Sequence, residues 1–234
     1  KYSRGIASHA RTSSNIARSI FSGIRSGWDF EQGLTHLMRY LGFKPQVQMK
    51  FEWNKSRQKK LPEYLNDLQG VLKKVTREVE RIPDHVHDAQ MVIDFLISSG
   101  ELPQGMEMES RDSTMVLDFD IETGTFLENV SIGEKLFPNV NLRALDEIIF
   151  ISSCLSIGLL RSTISFQALG GDEFIEIEDM SSGQWQLANC MFNLCANLEN
   201  DTVVLIDEPE NSMHPQWQRD YVALVGSMMA HRTG

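Results

Sequence analysis

The run Val203–Glu208 constrains the fold of this chain more than any other segment. Four apolar residues, Val-Val-Leu-Ile, are followed directly by the carboxylates Asp207 and Glu208. A short apolar run of this kind predicts a strand buried on both faces, as in the centre of a parallel α/β sheet. Ligands bind at the carboxyl ends of such strands, where one acid can hold Mg²⁺ and the other can orient water. The alternative is a core strand that simply ends in two solvated acids.

A second segment upstream adds to this prediction. Residues 181–184, Ser-Ser-Gly-Gln, precede a stretch in which Leu187, Met191, Leu194 and Leu198 recur at helical spacing. Small residues at a helix start leave backbone N–H groups and hydroxyls available to a phosphate. The tetrapeptide alone is a weak signal, because Ser and Gly are ordinary at helix starts. Its position ahead of a strand that ends in Asp-Glu makes the combination specific.

The order of these two motifs resembles that of the ABC-type ATPases. Residues 180–184 resemble their signature motif, and residues 203–209 resemble their Walker B strand. The continuation 210–215, Glu-Asn-Ser-Met-His-Pro, looks like the D-loop of the SMC-like and overcoming-lysogenization-defect branch rather than that of a membrane transporter. The resemblance implies an α/β fold of the ABC-type P-loop NTPase class with a helical insertion. A finer likeness, over residues 158–187, is to the ATPases of Septu-type and retron-associated antiphage systems.

The resemblance implies a role for each matching residue. Asp207 would hold Mg²⁺, and Glu208 would be the catalytic base that polarises the attacking water. Ser181 and Gly183 would contact the γ-phosphate of an ATP bound mainly by a second, facing subunit. Gln184 would help to set the start of the signature helix.

The remaining motif residues concern geometry and assembly. Ser182 stands in the signature where the family usually has Gly. Asn211, Ser212 and His214 would lie at the interface of a head-to-tail dimer. The antiphage likeness also implies a partner HNH nuclease and, in retrons, a reverse transcriptase with its RNA–DNA hybrid.

One motif that the resemblance requires is missing from residues 1–234. No G-x-x-x-x-G-K-[ST] sequence occurs, so this sequence is expected to carry only part of a nucleotide site. We expect the P-loop to precede residue 1 and a switch histidine to follow residue 234. Two further classes stay open: a degenerate ATPase fold that serves as a scaffold without hydrolysis, and a DNA-repair SMC-like ATPase.

Charge divides the chain into two unequal parts. Residues 1–113 hold 17 Lys and Arg against 14 Asp and Glu, a net charge of +3, whereas residues 114–234 hold 5 against 18, a net charge of −13. We predict a mainly helical inserted lobe or arm with one or two strands over 1–113, and an acidic ATPase lobe that carries the signature and Walker B motifs over 114–234. Basic residues gather within 55–77, where they form either a solvated helix face or a contact for nucleic acid or an acidic partner.

Composition and local patterns complete the prediction. No apolar run reaches the roughly 18 residues of a membrane helix, and the three cysteines lie in apolar stretches without metal spacing, which favours a cytoplasmic protein without a membrane span. The alternation at Val47, Met49, Phe51 and Trp53 predicts a half-exposed strand. The remaining predicted elements are a short helix capped by residues 12–14, a helix over 29–41, a helical hairpin over 62–98, strands over 115–121 and 160–166, a helix over 142–157, and a helix that begins at Pro215.

Overall fold

The structure is a computed structural model that describes residues 3–26, 31–54, 70, 90–92, 94, 114–127, 144–197, 203, 205 and 215–229. The described helices are α1 (Ser3–Ser26), α2 (Glu31–Tyr40), α3 (Ala144–Ser156), α4 (Ser182–Asn197) and α5 (Pro215–Met229). The described strands are β1 (Phe43–Trp53), β2 (Thr114–Asp120), β3 (Thr125–Phe126), β4 (Leu160–Ala168) and β5 (Phe174–Glu176). A single 3₁₀ turn, Ile177–Asp179, precedes α4.

The five strands form one sheet in the order β3-β2-β1-β4-β5. Both hairpins, β2–β3 and β4–β5, are antiparallel. The two ends of β1 meet opposite ends of β4, because the Leu169 N–H donates to the Gly42 carbonyl and the Asn54 N–H donates to the Leu159 carbonyl, both at 2.9 Å. The mixture of helices and sheet agrees with the predicted α/β class, with antiparallel pairing in the part of the sheet that is described.

Strand β1 carries the alternation that the sequence predicts. Val47, Met49, Phe51 and Trp53 are all buried, and the residues between them are half-buried or exposed. Successive side chains of a strand point to opposite faces, so this pattern places one face of β1 on the core. The half-exposed strand is therefore confirmed.

Helix α1 differs from its predicted start. The sequence predicts a cap at residues 12–14, but α1 begins at Ser3 and runs through these positions without a break. Ser13 is fully buried, and its hydroxyl donates to the Glu178 carboxylate at 2.9 Å instead of capping its own helix. The predicted inward face is confirmed, since Ile16, Ile20 and Phe21 have no exposed surface.

Two helices end just before the glycines that were predicted to stop them. Gly42 follows α2 with a φ of 88°, and Gly158 follows α3 with a φ of 75°. This left-handed region is accessible to Gly at little cost, which suits a residue just after a helix. Pro215 begins α5, as predicted. Of the hairpin predicted over 62–98, only residues 70, 90–92 and 94 are described, and these are helical.

Two compact units make up the chain. The first comprises residues 1–49, 116–129 and 163–234, and the second comprises residues 50–115 and 130–162. Each unit draws on both of the lobes predicted from charge, and the boundary between residues 113 and 114 stays a prediction.

The first unit has a core built between the sheet and α4. The ring of Phe166 on β4 lies 5.7 Å from that of Phe43 on β1 and 6.0 Å from that of Phe192 on α4, measured between centroids. Helix α1 packs on α4, and α2 packs on both α4 and α5. This arrangement buries Leu187 and Met191 of the helix that begins at the predicted signature.

The second unit contains α3 and the turn that follows it. Phe150, Ile151 and Cys154 of α3 are buried, and burial raises the pKa of the Cys154 thiol well above its usual value. The Asn54 side-chain amide donates to the Gly158 carbonyl at 2.9 Å, which satisfies a carbonyl at the end of the helix. None of the described helices is long and apolar enough to cross a membrane.

Candidate functional site

The turn ahead of α4 is held by a capping box between Ser181 and Gln184. The Gln184 backbone N–H donates to Ser181 Oγ at 3.3 Å, and Gln184 Oε1 accepts from the Ser181 backbone N–H at 3.2 Å. The Ser181 hydroxyl also donates to Gln184 Oε1, at 3.0 Å. Two of the backbone donors that a helix start leaves unpaired are therefore satisfied reciprocally.

The same glutamine ties this turn to a second helix end. Gln184 Nε2 donates to the Leu41 carbonyl at 3.3 Å, directly after the last residue of α2. Carbonyls at the end of a helix lack partners within the helix, so this bond satisfies both groups. Gln184 thus fixes the start of α4 relative to the end of α2.

Two backbone N–H groups at the start of α4 are not satisfied within the helix. Within the described part of the chain, the N–H groups of Ser182 and Gly183 have no hydrogen-bond partner. They lie at the positive end of the helix macrodipole, where an anion is favoured. The Ser182 side chain is exposed, and its hydroxyl is likewise without a partner among the described residues. Backbone N–H and hydroxyl groups are the donors from which phosphate oxygens accept.

Acidic residues next to this turn oppose the approach of a bare anion. Glu176 and Asp179 are exposed within five residues of Ser181, and Glu178 is half-buried. One oxygen of Glu178 accepts the Ser13 hydroxyl, while the other is buried without a hydrogen-bond partner among the described residues. The carboxylates stabilise the helix start. A phosphate at the open N–H groups therefore needs its charge balanced from elsewhere.

The signature residues 181–184 differ in their hydrogen bonds and in their exposure. The Ser181 hydroxyl is engaged by Gln184, so it reaches a ligand only if that bond is given up. Ser182, the departure from the ABC-type signature, has an exposed hydroxyl without a partner among the described residues. Gly183 is buried and contributes only its backbone. Their contact with a nucleotide stays a prediction.

Helix α5 follows the predicted Walker B and D-loop segments and is anchored at two consecutive residues. The Tyr40 hydroxyl on α2 donates to the Asp220 carboxylate at 2.6 Å. The hydroxyl of the next residue, Tyr221, lies 3.2 Å from the Cys190 sulfur on α4. Burial comes first among the causes that raise the pKa of Tyr221, followed by its bond to Cys190. Both anchors join α5 to the helices that meet at Gln184.

The described residues of the predicted Walker B strand are exposed and do not form a strand. Val203 is 81% exposed and Leu205 is 91% exposed, and neither belongs to a strand. The prediction of a strand buried on both faces is wrong at these two positions. Such burial requires a place inside a sheet that is covered on both faces, and the sheet order of the described strands contains no strand from this segment.

The predicted catalytic acids and dimer-interface residues are not among the residues that the structure describes. Asp207, Glu208, Asn211, Ser212 and His214 all lie outside the described residues, so their roles stay predictions. Among the residues that are described, no group of three or more His, Cys, Asp or Glu could hold a metal ion.

The described helices and the five-stranded sheet have the α/β composition that nucleotide-binding domains share. The family model of the AbiEii-toxin-type AAA domain, type IV TA system, matches residues 3–232. The match spans nearly the whole chain, which therefore belongs to this family and is an ATPase-like domain. Comparison with curated proteins and with solved structures gives no match.

Sequence reasoning missed part of this site. The pattern Ser-x-x-Gln at 181–184 is itself a capping-box signature, so the bonds of Gln184 to Ser181 were readable from the sequence. The bond between Tyr40 and Asp220 was not, because 180 positions separate the two residues and neither stands out locally.

Proposed function

We propose that this chain is part of an ATPase that closes head to tail around Mg²⁺ and ATP and thereby controls a partner nuclease. Two observations support the ATPase: membership of an AAA domain family, and the set of donors without a described partner at the start of α4. The donor set carries the proposal, because it gives the chain a place to bind a phosphate.

In this proposal the residues of the turn at 181–184 bind the phosphate, and the acids Asp207 and Glu208 serve the reaction. The N–H groups of Ser182 and Gly183 hold the γ-phosphate of a facing copy, and Ser181 joins them once its hydroxyl is released. Asp207 holds Mg²⁺, which supplies charge neutralisation, and Glu208 orients the attacking water.

A nucleotide site that is shared between two copies of the chain requires a dimer. A turn that binds the nucleotide of another copy produces two equivalent sites when the pair is closed by a twofold axis. Asn211, Ser212 and His214 would line the joint between the copies. A closed pair that opens after hydrolysis gives the partner a signal that depends on ATP.

The family description supports a role beside a second component, since it names a toxin of a type IV TA system. We propose the narrower setting of an antiphage complex with an HNH nuclease, as in Septu-type systems. In a retron setting, a reverse transcriptase and its RNA–DNA hybrid would join the complex. The basic residues within 55–77 are a candidate contact for nucleic acid.

The proposal is tested by Glu208→Gln in the full-length protein. ATP binding should stay within about twofold of wild type while turnover falls about 10²–10⁴-fold, the usual cost of losing a general base. Glu173→Gln, the same change at an exposed position between β4 and β5, is the matched control and should leave both unchanged. Turnover within about twofold of wild type in Glu208→Gln would remove this residue from the mechanism.

A scaffold without hydrolysis is the second candidate. Residues 1–234 contain no P-loop sequence, which an active site of this class needs for its own phosphate. A full-length protein that binds its partner but neither binds nor hydrolyses ATP would establish the scaffold.

A further inference from the structure

Four consecutive residues at the end of α2 contact four different elements. Arg39 pairs with Glu122 in the β2–β3 turn, and the Gly42 carbonyl accepts from the Leu169 N–H after β4. Between them, Tyr40 and Leu41 make the contacts to α5 and α4 described above. We call residues 39–42 the α2 hub.

Through Leu41, the hub contacts the glutamine that caps Ser181. A ligand oxygen that accepts the Ser181 hydroxyl proton competes with Gln184 Oε1 for it. The Gln184 amide is held at both ends, by Ser181 and by the Leu41 carbonyl. A change in one bond of this amide therefore changes the geometry of the other.

Through Tyr40, the hub contacts α5. The Tyr40 hydroxyl bonds to a carboxylate at 2.6 Å, in the range of short, charge-assisted hydrogen bonds. Burial and the bond to Asp220 raise the pKa of Tyr40 to about 12, so the hydroxyl keeps its proton and donates at neutral pH. Asp220 lies in the second turn of α5, whose first residue, Pro215, follows the predicted D-loop directly.

We propose that the α2 hub transmits the state of the Ser181 cap to α5, with Gln184, Tyr40 and Asp220 as the positioning residues of this link. Adjacent residues of one helix turn, Tyr40 and Leu41, hold the two ends, so movement of the Leu41 carbonyl displaces Tyr40 over a single peptide unit. Occupation of the turn at 181–184 thereby affects α5, the helix that follows the predicted catalytic acids in sequence.

The proposal rests on the proposed function only for its trigger, a phosphate at Ser181. The link itself exists in the protein without nucleotide and is testable there. An experiment can therefore contradict the link without contradicting the proposed function, and the reverse.

The first arm measures hydrogen exchange of the full-length protein without nucleotide. Gln184→Ala should speed the exchange of amides over 38–42 and 215–221 about fivefold, as expected for the loss of a hydrogen bond that holds both regions. Tyr40→Phe should speed exchange over 215–221 and leave 181–186 unchanged. The matched control Gln186→Ala, on the same helix, should change neither region.

Faster exchange confined to 181–186 in Gln184→Ala would overturn the link. So would Tyr40→Phe with wild-type exchange over 215–221. Tyr40→Phe keeps the ring, and its thermal unfolding should remain cooperative, so a folding defect is distinguished from the loss of one contact.

The second arm adds Mg²⁺ and ATP to the Glu208→Gln protein. Nucleotide should change exchange over 181–186 and over 215–221 together, and Tyr40→Phe should keep the first change and lose the second. In the active enzyme, Tyr40→Phe should lower kcat several-fold with KM within about twofold, because the residue positions α5 and does not touch ATP. Failure to bind ATP would end the proposed function, while the first arm would still decide the link.

Discussion

The turn at 181–184 and the run at 203–208 are the two predicted parts of one nucleotide site, but their described residues differ in bonding and burial. The turn is fixed by bonds between Ser181 and Gln184 and by the bond from Gln184 to Leu41. The run is exposed at both of its described residues. A capping box is encoded by residues three positions apart, whereas a buried strand depends on neighbours that its own sequence does not specify.

Core substitutions should show this difference most strongly. Leu187→Ala, at a site with no exposed surface, should lower the free energy of unfolding by about 2–5 kcal/mol, because it leaves a cavity between α4 and its neighbours. Leu205→Ala, at a site 91% exposed, should change it by less than about 0.5 kcal/mol. Both are measured by urea unfolding, and equal losses would show that residue 205 is buried in solution.

The capping box should contribute a smaller amount. Ser181→Ala removes the hydroxyl that caps α4, and such changes cost about 1 kcal/mol of stability. Ser182→Ala is the matched control, since it deletes an exposed hydroxyl without a partner among the described residues. Thermal unfolding of the two variants should therefore differ, and identical midpoints would argue against the box.

The Tyr40–Asp220 bond should give a small effect that depends on pH. The folded pKa of Tyr40, about 12, lies above the value near 10 in the unfolded chain, so the folded state holds the proton more tightly. The contribution to stability is complete below pH 10 and is lost as the pH rises through 12. Unfolding free energies of wild type and Tyr40→Phe, measured from pH 8 upward, should converge in this window. A constant difference across it would contradict the assignment.

Local patterns predicted much of the fold. The alternation in β1, the glycines after α2 and α3, and the proline at the start of α5 all act through neighbouring residues, and each is confirmed. The extent of α1 was not predictable, because buried Ser13 looks like a cap until Glu178, 165 positions away, is placed against it. The site divides in the same way: the turn is readable from the sequence, and the α2 hub is not.

Closure of the pair around ATP tests the central claim most directly. Light scattering of the full-length Glu208→Gln protein with Mg²⁺ and ATP should show a dimer, and Ser181→Arg added to it should leave a folded monomer. The matched control Gln32→Arg places the same charge at an exposed position of α2 and should still dimerise. A dimer that forms equally well with Ser181→Arg, or without ATP, would contradict the account.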